Sequence, residues 1–151
     1  MLVYLLLIST GITAQQVLVG KVVKVVDGDT FDLLSKSNKI YRIRMLEIDT
    51  PERGQVFYRV SKQALAAQIF SKEIKVLWTG TDRNGRLLGT VLCQGRNINL
   101  YMVEAGYAWH FKRYSKDIQF AKAELQARAA KRGLWGQGQA IAPWEFRKSR
   151  R

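Results

Sequence analysis

Residues 17–48 read VLVGKVVKVVDGDTFDLLSKSNKIYRIRMLEI, and this stretch decides the fold. Val17–Val26 is rich in β-branched residues, which favour the pleated conformation, and ends at the hairpin signal Asp27-Gly28-Asp29. Thr30–Ser35 forms a second short strand, and Lys36-Ser37-Asn38 supplies the next turn. Lys39–Ile48 is a third strand, with alternation in its first half. Asp49-Thr50-Pro51-Glu52 must leave the sheet, because proline offers no amide to a strand ladder. Three strands in such close succession predict an antiparallel meander.

Beyond Pro51 the period changes. Val56, Val60, Gln63, Ala64, Ala67 and Phe70 recur at helical spacing, predicting an amphipathic helix over Gln55–Lys72. Glu73–Thr79 is a fourth strand, Asp82-Arg83-Asn84-Gly85 a turn, and Arg86–Cys93 a fifth strand. A short helix over Asn97–Ala105 takes Asn97 as its N-cap and ends at Gly106. Tyr107–Phe111 is extended and aromatic, and Ser115–Arg132 is an Ala-rich helix stopped by Gly133. Residues 136–151 carry Gly, Gln and Pro and are expected to be partly ordered, with Trp135 and Trp144 packed back. Five strands with helices after the third and at the end define an α+β domain. A five-stranded OB barrel is the natural closure, since closing the sheet removes its edges.

The chain has 151 residues, the size of one domain. Lys and Arg number 25 against 12 Asp and Glu, for a net charge of +13. That excess calls for an anionic partner, nucleic acid or an acidic membrane surface. One cysteine, Cys93, excludes an intramolecular disulfide, and one histidine, His110, excludes multi-histidine zinc chemistry. The apolar run Leu2–Ile8, followed by small and polar residues up to Ala14, is too short to span a bilayer. It reads as a signal peptide over residues 1–16; a buried first strand is the other reading. All charged side chains lie in 17–151, divided into a domain over 17–146 and a basic tail over 147–151.

Charged residues gather at turns and strand ends in Asp27-Gly28-Asp29-Thr30, Arg42-Ile43-Arg44, Asp49-Thr50-Pro51-Glu52 and Asp82-Arg83-Asn84-Gly85-Arg86. Each alone reads as a turn or a solvated face. Together they place carboxylates beside guanidiniums, a combination suited to holding a hard cation and a phosphate. Thr50, held extended by Pro51, can offer its carbonyl as a further oxygen ligand.

The segments DGDT at 27–30, RIRMLEIDTPE at 42–52, TDRNGR at 81–86 and the aromatic run with its closing helix at 107–135 stand in the order and spacing of the staphylococcal nuclease family. The chain resembles that family over roughly residues 17–146. The resemblance implies a five-stranded OB barrel with three helices. It also implies a calcium-dependent endonuclease that hydrolyses DNA and RNA with low sequence specificity, prefers single-stranded or flexible substrate, and leaves 3′-phosphate ends. By the same resemblance, Asp29 and Asp49 are calcium-binding carboxylates and the Thr50 carbonyl is a third ligand. Glu52 orients or deprotonates the attacking water, and Arg44 and Arg86 hold the scissile phosphate. The residues alone do not choose between Asp27 and Asp29. The expected protein is an exported monomer, periplasmic or secreted, without stable membrane association once the signal is cleaved.

Arg83 is a candidate phosphate contact, and Tyr114 a candidate nucleotide contact in YAWHFKRYS. His110 reads as a packed or solvated ring, Cys93 as a buried small hydrophobe, and Glu47 as structural or solvated. Lys122, Arg128, Lys131 and Arg132 form a solvated basic face. The rival functional class is a non-catalytic OB-fold module that binds nucleic acid by charge and stacking. A third is a basic protein bound to anionic membranes through its apolar N-terminus.

Overall fold

The computed structural model describes residues 14–150. The signal-peptide reading of 1–16 falls largely on residues outside that range. The elements run β1 (Gln16–Val25), β2 (Thr30–Ser35), β3 (Ile40–Met45), β4 (Ile48–Asp49), α1 (Tyr58–Ile69), β5 (Glu73–Thr81), β6 (Leu87–Cys93), β7 (Arg96–Asn97), α2 (Ile98–Glu104), β8 (Trp109–His110), α3 (Ile118–Ala129), a 3-10 turn at Gly133–Gly136, and α4 (Pro143–Ser149).

β1, β2 and β3 form the antiparallel meander, and β1 also pairs with β5, which returns as β6. Parallel pairing of β3 with β6, Ile43 opposite Leu87 and Arg44 opposite Leu88, closes the barrel. Register shifts at Val22/Lys24 and Trp78/Gly80 are the bulges that bend the strands enough for closure. The five long strands make the expected OB barrel within an α+β fold.

The alternating residues Leu87, Gly89, Val91 and Cys93 of β6 face inward, with Val22, Phe31, Leu33, Ile43, Met45 and Val76 from the other strands. Leu65 and Ile69 of α1 and Met102 and Val103 of α2 complete this core, all fully buried. Burying each such side chain stabilises the fold by about 1.5–3 kcal/mol. Asn97 caps α2, its side chain accepting from the Leu100 amide at 3.0 Å. Asp117 caps α3 through the Gln119 amide.

Three local expectations are corrected. The third strand does not run unbroken to Ile48. It stops at Met45, Glu47 takes a left-handed φ of 70°, and Ile48–Asp49 pair instead with Trp109–His110. Buried Asn99 secures the break: its amide donates to the Leu46 and Gly89 carbonyls while its oxygen accepts from the Val91 amide. Second, α3 ends at Ala129, with Lys131 in the left-handed conformation, φ 52°. Gly133 is left-handed as well, φ 51°, and also permits close approach, since a Cβ there would lie 2.4 Å from the Gly106 carbonyl oxygen. Third, the C-terminal segment forms a fourth helix, α4, where partial order was expected. The cause is a small aromatic core. Trp109 packs edge-on against Trp135 and Trp144 at 4.5 and 5.5 Å, and Phe111 stacks on Trp144 at 5.5 Å.

Candidate active site

The functional side chains lie at one end of the barrel, where β1 passes to β2 and β3 breaks toward β4. Asp29 ends the β1–β2 loop and is buried. Its Oδ2 accepts from the Thr50 amide at 3.0 Å and the Thr50 hydroxyl at 2.8 Å, and its Oδ1 from the Thr30 hydroxyl at 3.0 Å. The loop is shaped by close approach. Gly28 has no positive φ, but a Cβ there would sit 2.1 Å from Ser61 Oγ and 3.0 Å from Thr50 Cβ. Gly28→Ala is therefore expected to destabilise the fold by about 1–3 kcal/mol through overpacking. It should also displace Thr50; denaturant titration together with activity measurement checks both effects.

Arg44 leaves β3 toward this end. Its Nη1 donates to the carbonyls of Met45 at 2.6 Å and Ile48 at 3.0 Å. Its Nη2 lies 3.3 Å from both Asp29 Oδ2 and Asp49 Oδ1. One guanidinium thus bridges two buried carboxylates that the chain places 20 positions apart in sequence. Burial, the Asp29 charge and a hydrogen bond with Asp29 push the Asp27 carboxyl up to about 7. Burial also raises Asp49, against the opposing pull of Arg147 and Arg44.

Sequence reasoning missed Arg147. This α4 residue donates to Asp49 Oδ2 at 2.7 Å and Oδ1 at 3.3 Å, and to Glu52 Oε1 at 2.5 Å. Burial works against its charge, but the hydrogen bonds to Asp49 and Glu52 outweigh that and hold the guanidinium above its ordinary value. Glu52 is half-buried, and its amide donates to Gln55 Oε1 at 2.8 Å. Gln55 in turn donates to the Ile141 carbonyl, fastening the Glu52 loop to the segment that leads into α4.

Arg86 sits apart from these carboxylates. Asp82 holds it, accepting from Nε and Nη2 at 2.8 Å, while Asp82 Oδ1 caps the turn through the Asn84 and Arg86 amides. The β3–β6 register nonetheless brings the start of β6 alongside the end of β3 that carries Arg44. Arg83 is exposed on the same turn. Tyr114 is 73% exposed and packs edge-on against Phe111 at 4.9 Å, at the end of the aromatic row reaching Trp144. Arg42 turns away to pair with Asp32.

His110 is packed, as expected. Its Nε2 shares a 2.8 Å hydrogen bond with Ser115 Oγ, its amide donates to buried Glu124, and burial lowers its pKa. Cys93 is buried and free.

Among the described residues no three His, Cys, Asp or Glu side chains converge as ready metal ligands. The site's acids nevertheless fit a hard divalent cation. Asp29 and Asp49 are buried, oxygen-only donors that share Arg44, and burial already opposes the charge on Asp27 and Asp49; Arg147 holds both Asp49 oxygens, so a cation would have to displace it there.

A closed OB barrel with carboxylates and guanidiniums gathered at one end defines the class, a small OB-fold domain with a charged site at the barrel mouth. Comparison with known proteins names the group within it. The profile of staphylococcal nuclease homologues matches residues 42–137, and the chain belongs to the staphylococcal nuclease family. It is 41% identical over 128 residues to an uncharacterized endonuclease of Haemophilus influenzae, covering 85% of this chain and 72% of that one. It is 39% identical over 141 residues to a micrococcal nuclease of Shigella flexneri, covering 86% and 80%. It is 41% identical over 111 residues to a probable staphylococcal-like nuclease of Oryza sativa, covering 74% of this chain and 29% of that larger protein.

Proposed function

We propose that the protein is a calcium-dependent endonuclease that hydrolyses DNA and RNA with low sequence specificity and leaves 3′-phosphate ends. The observation that carries this reading is the Asp29–Arg44–Asp49 bridge, with Glu52 reached through Arg147. In this reading Asp29, Asp49 and the Thr50 carbonyl hold the cation, which supplies Lewis-acid stabilisation of charge on the phosphate oxygens. Arg44 and Arg86 grip the scissile phosphate, and such preorganised donors are worth about 3–4 kcal/mol each in the transition state. Reaching it requires Arg86 to turn from Asp82, an exchange of one anion for another.

Glu52 holds the attacking water. The water oxygen bonds to phosphorus, the P–O5′ bond breaks, and the 3′-phosphate and 5′-hydroxyl depart. The proton lost by the water passes to the Glu52 carboxylate and then to solvent, and the departing 5′-oxygen takes its proton from solvent. Guanidinium is a poor proton donor, so Arg86 serves as a charge clamp and not as an acid.

The test is cleavage of single-stranded DNA and RNA by pure, folded protein with calcium and with chelator, followed by analysis of product ends. Calcium-dependent cleavage to 3′-phosphates is expected. Binding that survives chelation with no cleavage under any divalent ion would establish the binding module instead. Magnesium and manganese belong in the same assay, because oxygen ligands accept all three ions. We further propose export, with removal of residues 1–16 and action as a monomer. Mass spectrometry of the exported protein should find a mature chain lacking Met1.

A further inference from the structure

The carboxylate site continues into a cleft of about 380 Å³ lined by Glu52, Arg53, Phe146, Arg147 and Arg150. Three of these five residues are arginines, and the only acid among them, Glu52, is already engaged by Arg147. Among the described residues Arg53 and Arg150 pair with no carboxylate, and both are exposed. Arg150 is nonetheless positioned. Its guanidinium lies over the Phe146 ring at 5.0 Å, and its Nη1 donates to the Arg53 carbonyl at 3.4 Å. A guanidinium stacked on a ring keeps its in-plane N–H edges free for an anion. The cleft shares Arg53 with a second one, of about 550 Å³, that runs over Val56, Tyr58 and Arg59 at the start of α1. Guanidiniums and aromatic rings thus continue away from Glu52 along one surface.

We propose that this cleft is a polynucleotide subsite built by α4. Arg53 and Arg150 take phosphates of the strand next to the scissile one, Arg150 held in place by its stacking on Phe146. The inference rests on the nuclease reading above. It adds a binding site that lies outside the Asp29, Arg44, Asp49, Glu52 and Arg86 set. Single-stranded nucleic acid is the ligand that matches, since it carries phosphates at regular intervals between stackable bases.

The experiment measures binding of fluorescein-labelled dT12 by anisotropy in chelator, across a salt series, for the wild type and for Arg53→Ala/Arg150→Ala. Loss of two phosphate contacts should weaken binding about 5–20-fold and make the slope of log K against log salt shallower by about 1.4. With divalent ion present, KM should rise by a similar factor while kcat moves less than twofold. Lys122→Ala, on the exposed face of α3, controls for simple loss of positive charge. Arg53→Glu is a second variant; Arg53 is exposed, and its side chain supports no hydrogen bond of the fold among the described residues. Near-UV circular dichroism checks that each variant is folded. A folded double variant or Arg53→Glu protein with wild-type affinity and salt slope overturns the subsite and leaves the nuclease reading standing. A wild-type protein that neither binds nor cleaves dT12 overturns both.

Discussion

Arg44→Ala is expected to lower turnover by at least about 10²–10³-fold, the loss seen when a single aimed donor is taken from a developing oxyanion. The structure gives reason to expect the upper part of that range. Arg44 both faces the site and builds it, donating to Met45 and Ile48 on either side of the break between β3 and β4. Its other nitrogen holds Asp29 and Asp49 together. Without it, two buried carboxylates face each other with Arg147 alone as a nearby counter-charge. Divalent-ion affinity should rise while turnover falls, because the two carboxylates lose a competing cation. Stability should drop by about 1–3 kcal/mol, from buried acceptors left unpaired. Arg44→Lys keeps the charge but not the planar fork, so it should recover stability better than activity. Calorimetric ion binding, denaturant titration and initial rates separate the three effects. Near-native activity in a folded Arg44→Ala protein would remove Arg44 from the phosphate clamp.

In chelator, Asp27→Asn is expected to stabilise the protein above neutral pH and to flatten its stability profile. The Asp27 carboxyl titrates near 7 in the folded chain against 3.8 for the free side chain, first because it is buried and then because the Asp29 charge lies beside it. Between those values the folded state binds more protons than the unfolded state, so stability falls as pH rises from about 4 to about 7 and levels off above. A shift of this size corresponds to at most about 4 kcal/mol, and solvent reaching the partly exposed side chain reduces it. Asn can keep the bond to the backbone, its Oδ1 accepting from the Asp29 amide at 3.1 Å, while it removes the carboxyl that competes with the Asp29 side chain. The variant should therefore gain about 2 kcal/mol or more at pH 8 and lose the downward slope between pH 4 and 7. A wild-type profile with no fall over that interval would contradict the burial of this charge. A divalent ion should restore part of the lost stability in the wild type, since it binds only the folded site.

The barrel was legible because its strands announce themselves locally. β-branched runs punctuated by Asp-Gly, Ser-Asn and Asn-Gly turns locate β1, β2, β5 and β6 to within a few residues. The break at Glu47 was only partly legible: alternation holds in the first half of residues 39–48 and lapses in the second, but no turn residue marks where the strand stops. What stops it is Asn99, far along the chain, which engages the Leu46 carbonyl, together with the pairing of β4 to β8. In the same way Gly28 looks like a turn residue, yet the structure uses its missing Cβ to let Ser61 and Thr50 approach.

The site divides along the same line. Asp29, Arg44, Asp49, Thr50 and Glu52 stand within 24 positions of one another, at turns where charge is conspicuous, and they come together in space. Arg147 lies 98 positions from Asp49 and reads as one cation in the basic ending RKSRR. Its placement depends on the Trp109, Phe111 and Trp144 contacts that dock α4, and aromatic packing between distant segments leaves no periodic trace.

By itself, then, the sequence determined the strand pattern, the charge imbalance and the cluster of acids and arginines. Each of these is a local property of neighbouring residues. Tertiary structure alone decided which guanidinium meets which carboxylate. Arg44 spans Asp29 and Asp49, and Arg147 arrives from the C-terminal helix to occupy Asp49 and Glu52, whereas the Arg86–Asp82 pair is local to one turn. The physical reason is range. An ion pair forms only within a few ångströms, and a folded chain sets that distance through barrel closure and aromatic packing, not through spacing along the sequence.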